Sequence, residues 1–279
     1  MPENLIFSHV QISPLMTGAA APVMPLSPDL GLSTLQVSRV DSGWALPGGE
    51  TLTWTHLEAI QSEPNSCFRF SEGQLEKIEV FSPRTNRYYS LMPTPSAPTL
   101  LISGIPMHRI KDTTPNQDTQ QKLKALGKPY GRILDTATGL GYTAIQAAKT
   151  ADLVVTIEFD PAVLEICCLN PWSAELFTRP NIQPLIGDSV DLVAGFPDAS
   201  FNAIIHDPPT FALAGEMYSS ATYQQLYRIL KPGGRLFHYI GNPESRYGAT
   251  TGRGVVARLR QAGFKVTPKG RAFGVLGMK

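Results

Sequence analysis

The chain has 279 residues with 42% apolar and 17% charged side chains, enough for one large domain or a domain of roughly 200 residues with a smaller companion. No run of about 18 apolar residues occurs, so no membrane-spanning helix is expected. The net charge of +1 hides an asymmetry, because Arg228 to Lys279 holds eleven Lys and Arg against the single acid Glu244, which suggests one basic face able to meet phosphates.

Residues 1–29 read as a flexible extension. Pro14 to Leu26 is fairly apolar but holds three prolines, with no Lys or Arg before it, which fits an extension better than a signal peptide. Residues 30–105 read as a small β-rich domain, a candidate for substrate recognition. Strand-like runs fall at Thr34–Val40, Glu50–Trp54, Cys67–Phe70, Leu75–Phe81 and Arg87–Leu91, with one short helix at His56–Gln61. Proline-rich Met92–Pro98 is the expected hinge. Cys67, Cys167 and Cys168 form neither a disulfide framework nor a zinc spacing. All three are expected as small buried hydrophobes in a reducing, cytoplasmic setting, and no metal site is expected.

Residues 106–279 read as an α/β domain. A helix around Gln117–Leu126 leads to Ile133–Ala148, where an apolar strand runs into a Thr/Gly turn and then a helix. Gly139 and Gly141 let the backbone approach a ligand, and the next helix offers free N–H groups, as a nucleotide cofactor requires. By itself Gly139-x-Gly141-x-x-Ala144 also fits a dinucleotide fingerprint. Further runs end at Glu158, at Gly187-Asp188-Ser189, at Asp207-Pro208-Pro209-Thr210-Phe211, and after Arg235–Ile240. Runs that each end in a polar group, separated by helical stretches, describe a parallel sheet with its ligand at the strand carboxyl ends. Glu158 can bond a ribose diol, and Asp188 an adenine amine. After a helix at Gly252–Ala262, Phe264–Thr267 and Arg271–Leu276 flank a Pro-Lys-Gly turn. A dinucleotide-binding dehydrogenase would normally build a second β-α-β half there.

The motifs DTATGLGYTA, Glu158, GDS, DPPTF and LKPGG, in that order and spacing, resemble class I S-adenosylmethionine-dependent methyltransferases. More narrowly, GIPMHRIKDTTP, GLGYTA, NPWS, HDPPTFALAGEMYS and LFHYIGNP resemble a family of predicted methyltransferases found mainly in archaea, over roughly Ser27 to Phe264. The resemblance implies a Rossmann-like seven-stranded sheet, with the terminal hairpin placing an antiparallel strand within it. It implies S-adenosyl-L-methionine as cofactor, held by Asp135, Thr136, Gly139, Gly141, Tyr142, Glu158, Phe159, Asp188, Ser189 and Asp207.

In such enzymes an acidic or amide residue before Pro-Pro marks methylation at a planar nitrogen. A conjugated amine is a poor nucleophile, and a carboxylate with a proline carbonyl can accept its two N–H hydrogens and aim the lone pair. Asp207, Pro208 and Pro209 are therefore the expected catalytic group, with Phe211 as a base-stacking platform. Thr210 stands where an aromatic is usual, and DPPTF also resembles the loop of large-subunit rRNA methyltransferases acting on guanine N7. His108 and Arg109 are placed to meet the cofactor carboxylate or an RNA phosphate, and Arg258 and Arg260 to meet RNA. The expectation is an N-methyltransferase acting on a cytidine N4 or adenosine N6 type amine in rRNA or tRNA. Alternatives are a small-molecule or protein-glutamine methyltransferase, a polyamine aminopropyltransferase on the same scaffold, and a non-catalytic RNA-binding module. His206 is expected to sit satisfied in its strand, and Trp172 to anchor the core.

Overall fold

The computed structural model describes residues 5–18, 21–242 and 244–279, with the backbone alone at 246 and 247. The chain forms two compact units, Met1–Asn116 with Ala162–Ala174, and Gln117–Pro161 with Glu175–Lys279.

The first unit contains β1 (Leu5–Phe7), α1 (His9–Thr17), β2 (Val23–Leu26), β3 (Leu35–Val40), β4 (Gly43–Ala45), β5 (Thr51–Thr53), α2 (Trp54–Ser62), β6 (Phe68–Ser71), β7 (Gln74–Lys77), β8 (Glu79–Ser82), β9 (Arg87–Met92), β10 (Thr99–Ile102) and β11 (Ile105–Pro106). These strands make three antiparallel sheets, ordered β1-β6-β7, β2-β3-β4-β5 and β11-β10-β9-β8.

The expected flexible extension is a correction wherever it is described. Residues 1–4, 19 and 20 lie outside the described residues, but β1 pairs with β6 and α1 is a capped helix. Ser8 Oγ accepts the Val10 N–H at 3.3 Å while Gln11 Oε1 accepts the Ser8 N–H at 3.0 Å, a reciprocal cap that fixes the helix start. Ile12 and Leu15 are fully buried in a core with Phe7, Trp44, Leu52 and Phe70. That burial overrides the helix-breaking tendency of Pro14.

Two further expectations change. The Leu75–Phe81 run is two strands, not one. The chain switches sheets at buried Ile78, whose N–H donates to the Cys67 carbonyl at 2.9 Å and whose carbonyl accepts the Leu91 N–H at 3.1 Å. Met92–Pro98 is no hinge, because it closes the β9–β10 hairpin, with Met92 paired to Thr99. The first unit accordingly runs to Asn116 rather than ending at residue 105, and it takes in a later segment. In that segment Trp172 Nε1 donates to the Leu30 carbonyl at 3.1 Å, a structural anchor as expected. Cys67 and Cys167 are buried, but Cys168 is exposed, contrary to expectation.

Helix α3 (Pro115–Leu126) leads into the second unit. There follow β12 (Arg132–Asp135), α4 (Tyr142–Ala147), β13 (Leu153–Glu158), α5 (Pro161–Leu169), which from Ala162 belongs to the first unit, and then α6 (Glu175–Thr178), β14 (Ile182–Ile186), α7 (Ser189–Gly195), β15 (Phe201–His206), α8 (Phe211–Ala214), α9 (Ser220–Ile229), β16 (Leu230–Tyr239), α10 (Arg246–Gln261), β17 (Lys265–Lys269) and β18 (Gly274–Met278). Seven strands form one sheet in the order β14-β13-β12-β15-β16-β18-β17. The β14 to β16 run is parallel, and β18 lies antiparallel to both β16 and β17. Each parallel connection needs a crossover, and the helices supply it. Leu134, Val155, Ile157, Ile204 and Leu236 pack with Tyr223, Leu226, Val255 and Leu259 into the core. The strand order reverses between β12 and β15. At that switch point the loops diverge and leave a crevice at the strand carboxyl ends.

Candidate active site

Asp135 ends β12, and Asp207 follows β15 directly, so the switch point brings two carboxylates together. Asp135 is fully buried, and its Oδ2 accepts Thr143 Oγ1 at 3.0 Å and Thr156 Oγ1 at 3.1 Å. Oδ1 has no well-formed hydrogen bond among the described residues. Burial pushes this carboxyl up to about 7 against those hydrogen bonds, and Asp207 adds to the rise.

The turn after β12 has the conformations its glycines permit. Gly139 has φ of +50° and Gly141 of +77°. A Cβ on Gly141 would come within 3.0 Å of Leu176, whereas Gly139 faces open space. Glu158, at the tip of β13, holds the turn. Its Oε2 accepts the Gly139 N–H and its Oε1 the Asp160 N–H, both at 3.0 Å. Burial pushes Glu158 up to about 7, and the backbone N–H groups only partly oppose this. The Phe159 N–H also addresses this carboxylate, and with up to four acceptor positions on its two oxygens it can still accept from a ribose hydroxyl. Beyond it, Phe159 is 43% and Ile186 53% exposed, on the ends of neighbouring strands. Two such exposed apolar side chains suit an adenine ring. Asp188 caps α7, its Oδ1 accepting the Val190 N–H at 2.8 Å, and Oδ2 has no hydrogen bond among the described residues.

Other expected cofactor residues have partners within the protein. Thr136 Oγ1 turns inward to His206 Nδ1 at 2.7 Å, and the Thr136 carbonyl accepts Ser189 Oγ at 2.5 Å. Tyr142 begins α4 and is buried. His206 is satisfied in its strand as expected, with Nε2 at 2.9 Å from the Met217 carbonyl. Because a carbonyl only accepts, Nε2 carries the proton and Nδ1 accepts from Thr136. Burial lowers the His206 pKa to about 4, and His238, packed 4.4 Å from it ring to ring, is lowered well below the usual value.

The Asp207 loop divides its labour. Tyr218 Oη donates to the Pro209 carbonyl at 2.9 Å, so Pro209 braces the loop. The Pro208 carbonyl has no partner among the described residues. Phe211 is 49% exposed, with one side against the Tyr218 ring at 5.6 Å. Asp207 itself is joined to a residue that sequence reading overlooked. Lys122 Nζ lies 2.6 Å from Asp207 Oδ2 and 2.7 Å from Asp118 Oδ2, and 4.7 Å from the centroid of the Tyr239 ring. Asp118 and Lys122 are spaced i,i+4 on α3, which places both on one face. That spacing was the available signal, but i,i+4 spacing alone does not distinguish a buried helical Asp–Lys pair from a solvated one.

Several expected substrate residues make hydrogen bonds within their own unit. His108 belongs to the first unit, where its Nδ1 lies 2.9 Å from Thr99 Oγ1. Arg109 lies in the same unit. Arg258 Nε donates to the Tyr218 carbonyl at 2.9 Å, so this residue anchors α10 and is a correction to the expected RNA contact. Arg228, Arg235 and Lys279 likewise bond backbone carbonyls. The basic excess facing solvent is therefore smaller than the sequence count, and among the described residues Lys231, Arg253, Arg260, Lys265 and Arg271 are its exposed members.

An open glycine turn, a buried carboxylate oxygen lacking a partner, and an acid at the tip of the neighbouring strand together fit S-adenosylmethionine. Bound there, that cofactor supplies an electrophilic methyl group on a sulfonium. Residues 134–238 match the family described as "Methyltransferase domain". A 111-residue stretch is 32% identical to the ubiquinone/menaquinone biosynthesis C-methyltransferase UbiE of Geotalea daltonii, covering 39% of this chain and 44% of that one. Among solved structures, spermidine synthase in complex with the transition state analogue AdoDATO superposes with a TM-score of 0.58 at 17% identity, over 74% of this chain and 75% of that chain. The protein is a class I S-adenosylmethionine-dependent methyltransferase. Within that class it belongs to the family of the uncharacterized protein MJ1233 of Methanocaldococcus jannaschii, with 43% identity over 226 residues that span 80% of this chain and 77% of that one. No helix among the described residues is long and apolar enough to cross a membrane.

Proposed function

We propose that this enzyme methylates a planar exocyclic amine of a nucleobase, of the cytidine N4 or adenosine N6 type, in cytoplasmic rRNA or tRNA. The observation that carries the reading is the state of Asp207. One of its oxygens is held by Lys122, and the other has no partner among the described residues. With the carbonyl of Pro208, the next residue, it supplies two acceptors on one loop, the number that a planar amine with two N–H hydrogens requires. Accepting both hydrogens favours a pyramidal nitrogen whose lone pair points away from the loop, toward the cofactor turn. Half-exposed Phe211 supports the reading as a surface for the base ring. Exposed Arg253 and Arg260 support an RNA partner, because both project cations from α10.

Mass spectrometry of nucleosides from a strain lacking the gene tests this. Loss of one N-methylated nucleoside is expected, and an unchanged nucleoside profile would overturn it. Aminopropyl transfer to a polyamine is the second reading, because the chain shares its sheet fold with spermidine synthase. Purified enzyme given decarboxylated S-adenosylmethionine and putrescine would form spermidine only under that reading.

A further inference from the structure

Lys122 stands out among the charged groups of the second unit. Its side chain is 2% exposed, and burying an ammonium costs several kcal/mol unless partners are built around it. Three are present. Asp118 and Asp207 lie within 2.7 Å, and the Tyr239 ring covers a further side. Asp118 is itself fully buried, while Asp207 is 19% exposed, so the triad has a closed end and one end that reaches the crevice.

We propose that Lys122 is the positioning residue for Asp207, clamping Oδ2 from the buried side so that Oδ1 alone is presented to the substrate amine. The inference rests on Asp207 being the amine-orienting group. A carboxylate joined to the chain through a single rotatable bond from Cβ would otherwise sample many orientations, and a fixed acceptor needs no reorganisation during reaction. Lys122 has a second effect. Burial raises the Asp207 pKa, Lys122 opposes that rise, and Asp118 adds to it. For Lys122, burial favours the neutral amine, but Asp207 and Asp118 together outweigh it and hold the ammonium charged. The lysine thus favours the ionised, acceptor-only form of Asp207 against burial and Asp118. The charged groups facing Asp207 are Lys122 and Asp118 from α3 and Asp135 from β12. His206, next in chain, is turned away toward Thr136 and Met217.

The test is carbon-13 NMR of the full-length protein labelled at aspartate carboxyl carbons, with the Asp207 signal assigned by its loss in Asp207→Asn. The midpoint of that signal should move to higher pH in Lys122→Met, stay near wild type in Lys122→Arg, and move to lower pH in Asp118→Asn. Asp135 keeps its signal in every variant, and because the Asp207 charge raises its pKa, its own midpoint should fall in Asp207→Asn, which distinguishes it from the signal lost there. Calorimetry with S-adenosylmethionine checks that Lys122→Met is folded. If it is not, Asp118→Asn carries the test, because removing that carboxylate leaves Lys122 to Asp207 alone. An unmoved midpoint in folded Lys122→Met, or an unmoved or upward shift in Asp118→Asn, overturns the proposal. No methyl acceptor is added, so a failed RNA assignment leaves the result intact, and RNA methylation with unmoved midpoints removes only the lysine's role.

Discussion

The Tyr218 hydroxyl donates to the carbonyl of Pro209 at 2.9 Å, tying the loop that follows Asp207 to the buried Tyr218 side chain. Tyr218→Phe removes that bond, worth about 1 kcal/mol, while keeping the ring that Phe211 packs against. The expected outcome is a several-fold lower kcat with cofactor affinity unchanged, read by single-turnover kinetics and calorimetry. Equal turnover in the variant would show that Pro209 needs no brace.

Asp207→Ala should cut kcat by about 10²- to 10³-fold, the usual loss for a preorganised polar group. Asp207→Asn should keep partial activity, because its amide oxygen still accepts one N–H. Cofactor affinity should change far less in both, since Glu158 and Asp188 lie at the ends of other strands. Wild-type turnover in the alanine variant would end the amine-positioning mechanism.

Glu158→Ala should weaken S-adenosylmethionine binding by roughly 1.5–3 kcal/mol, because a charge-assisted hydrogen bond is lost and the Gly139 turn loosens. In the free protein this carboxyl titrates at about 7, raised by burial. Below that pH it is protonated and a weaker acceptor for ribose hydroxyls, so affinity should rise as pH increases through 7. Calorimetry from pH 6 to 8 measures this, and Glu158→Gln should flatten the rise.

Acid should act on the core as well. His206 has a folded-state pKa of about 4 against 6.5 for an ordinary histidine, so the unfolded chain takes up the proton first. Its contribution is complete above about pH 6.5 and is lost as pH falls toward 4, on the order of 3 kcal/mol. Urea unfolding at pH 6.5 and pH 5 should show the loss, and His206→Gln should reduce it. A slope identical in the variant would assign the effect to other groups.

Salt dependence separates the two kinds of arginine on α10. Arg253→Glu with Arg260→Glu should flatten the fall of RNA affinity between roughly 50 and 200 mM salt, with little change in Tm. Arg258→Glu should lower Tm instead, because it breaks the bond to the Tyr218 carbonyl and sets a carboxylate against it. Filter binding and thermal melts distinguish these outcomes.

The sheet was legible because its central strands β12, β13 and β15 are buried on both faces and each ends in a polar residue or a turn. Glu158, Asp188 and Asp207 could be placed from those endings alone. Where a partner distant in sequence decides the role, reading failed. Thr136 and Ser189 carry the chemistry of cofactor contacts, yet His206, some 70 residues on, and the Thr136 carbonyl take their hydroxyls. Arg258 counts as surface charge until the Tyr218 carbonyl, 40 positions away, accepts from it. At the N-terminus Pro14 masked a helix whose stability comes from contacts with Trp44 and Phe70, which no local pattern reveals.

The buried lysine of α3 also bears on how this family can change. Positions 118, 122 and 207 form one electrostatic unit, two of them on one helix and the third 85 residues away. A drift at 207 to a neutral side chain leaves the ammonium with less compensation in the interior, a cost of several kcal/mol. Descendants that alter the substrate loop must therefore pass through a destabilised intermediate or exchange the lysine in the same step. Aligned relatives should show the three positions inherited together, as a haplotype within the gene.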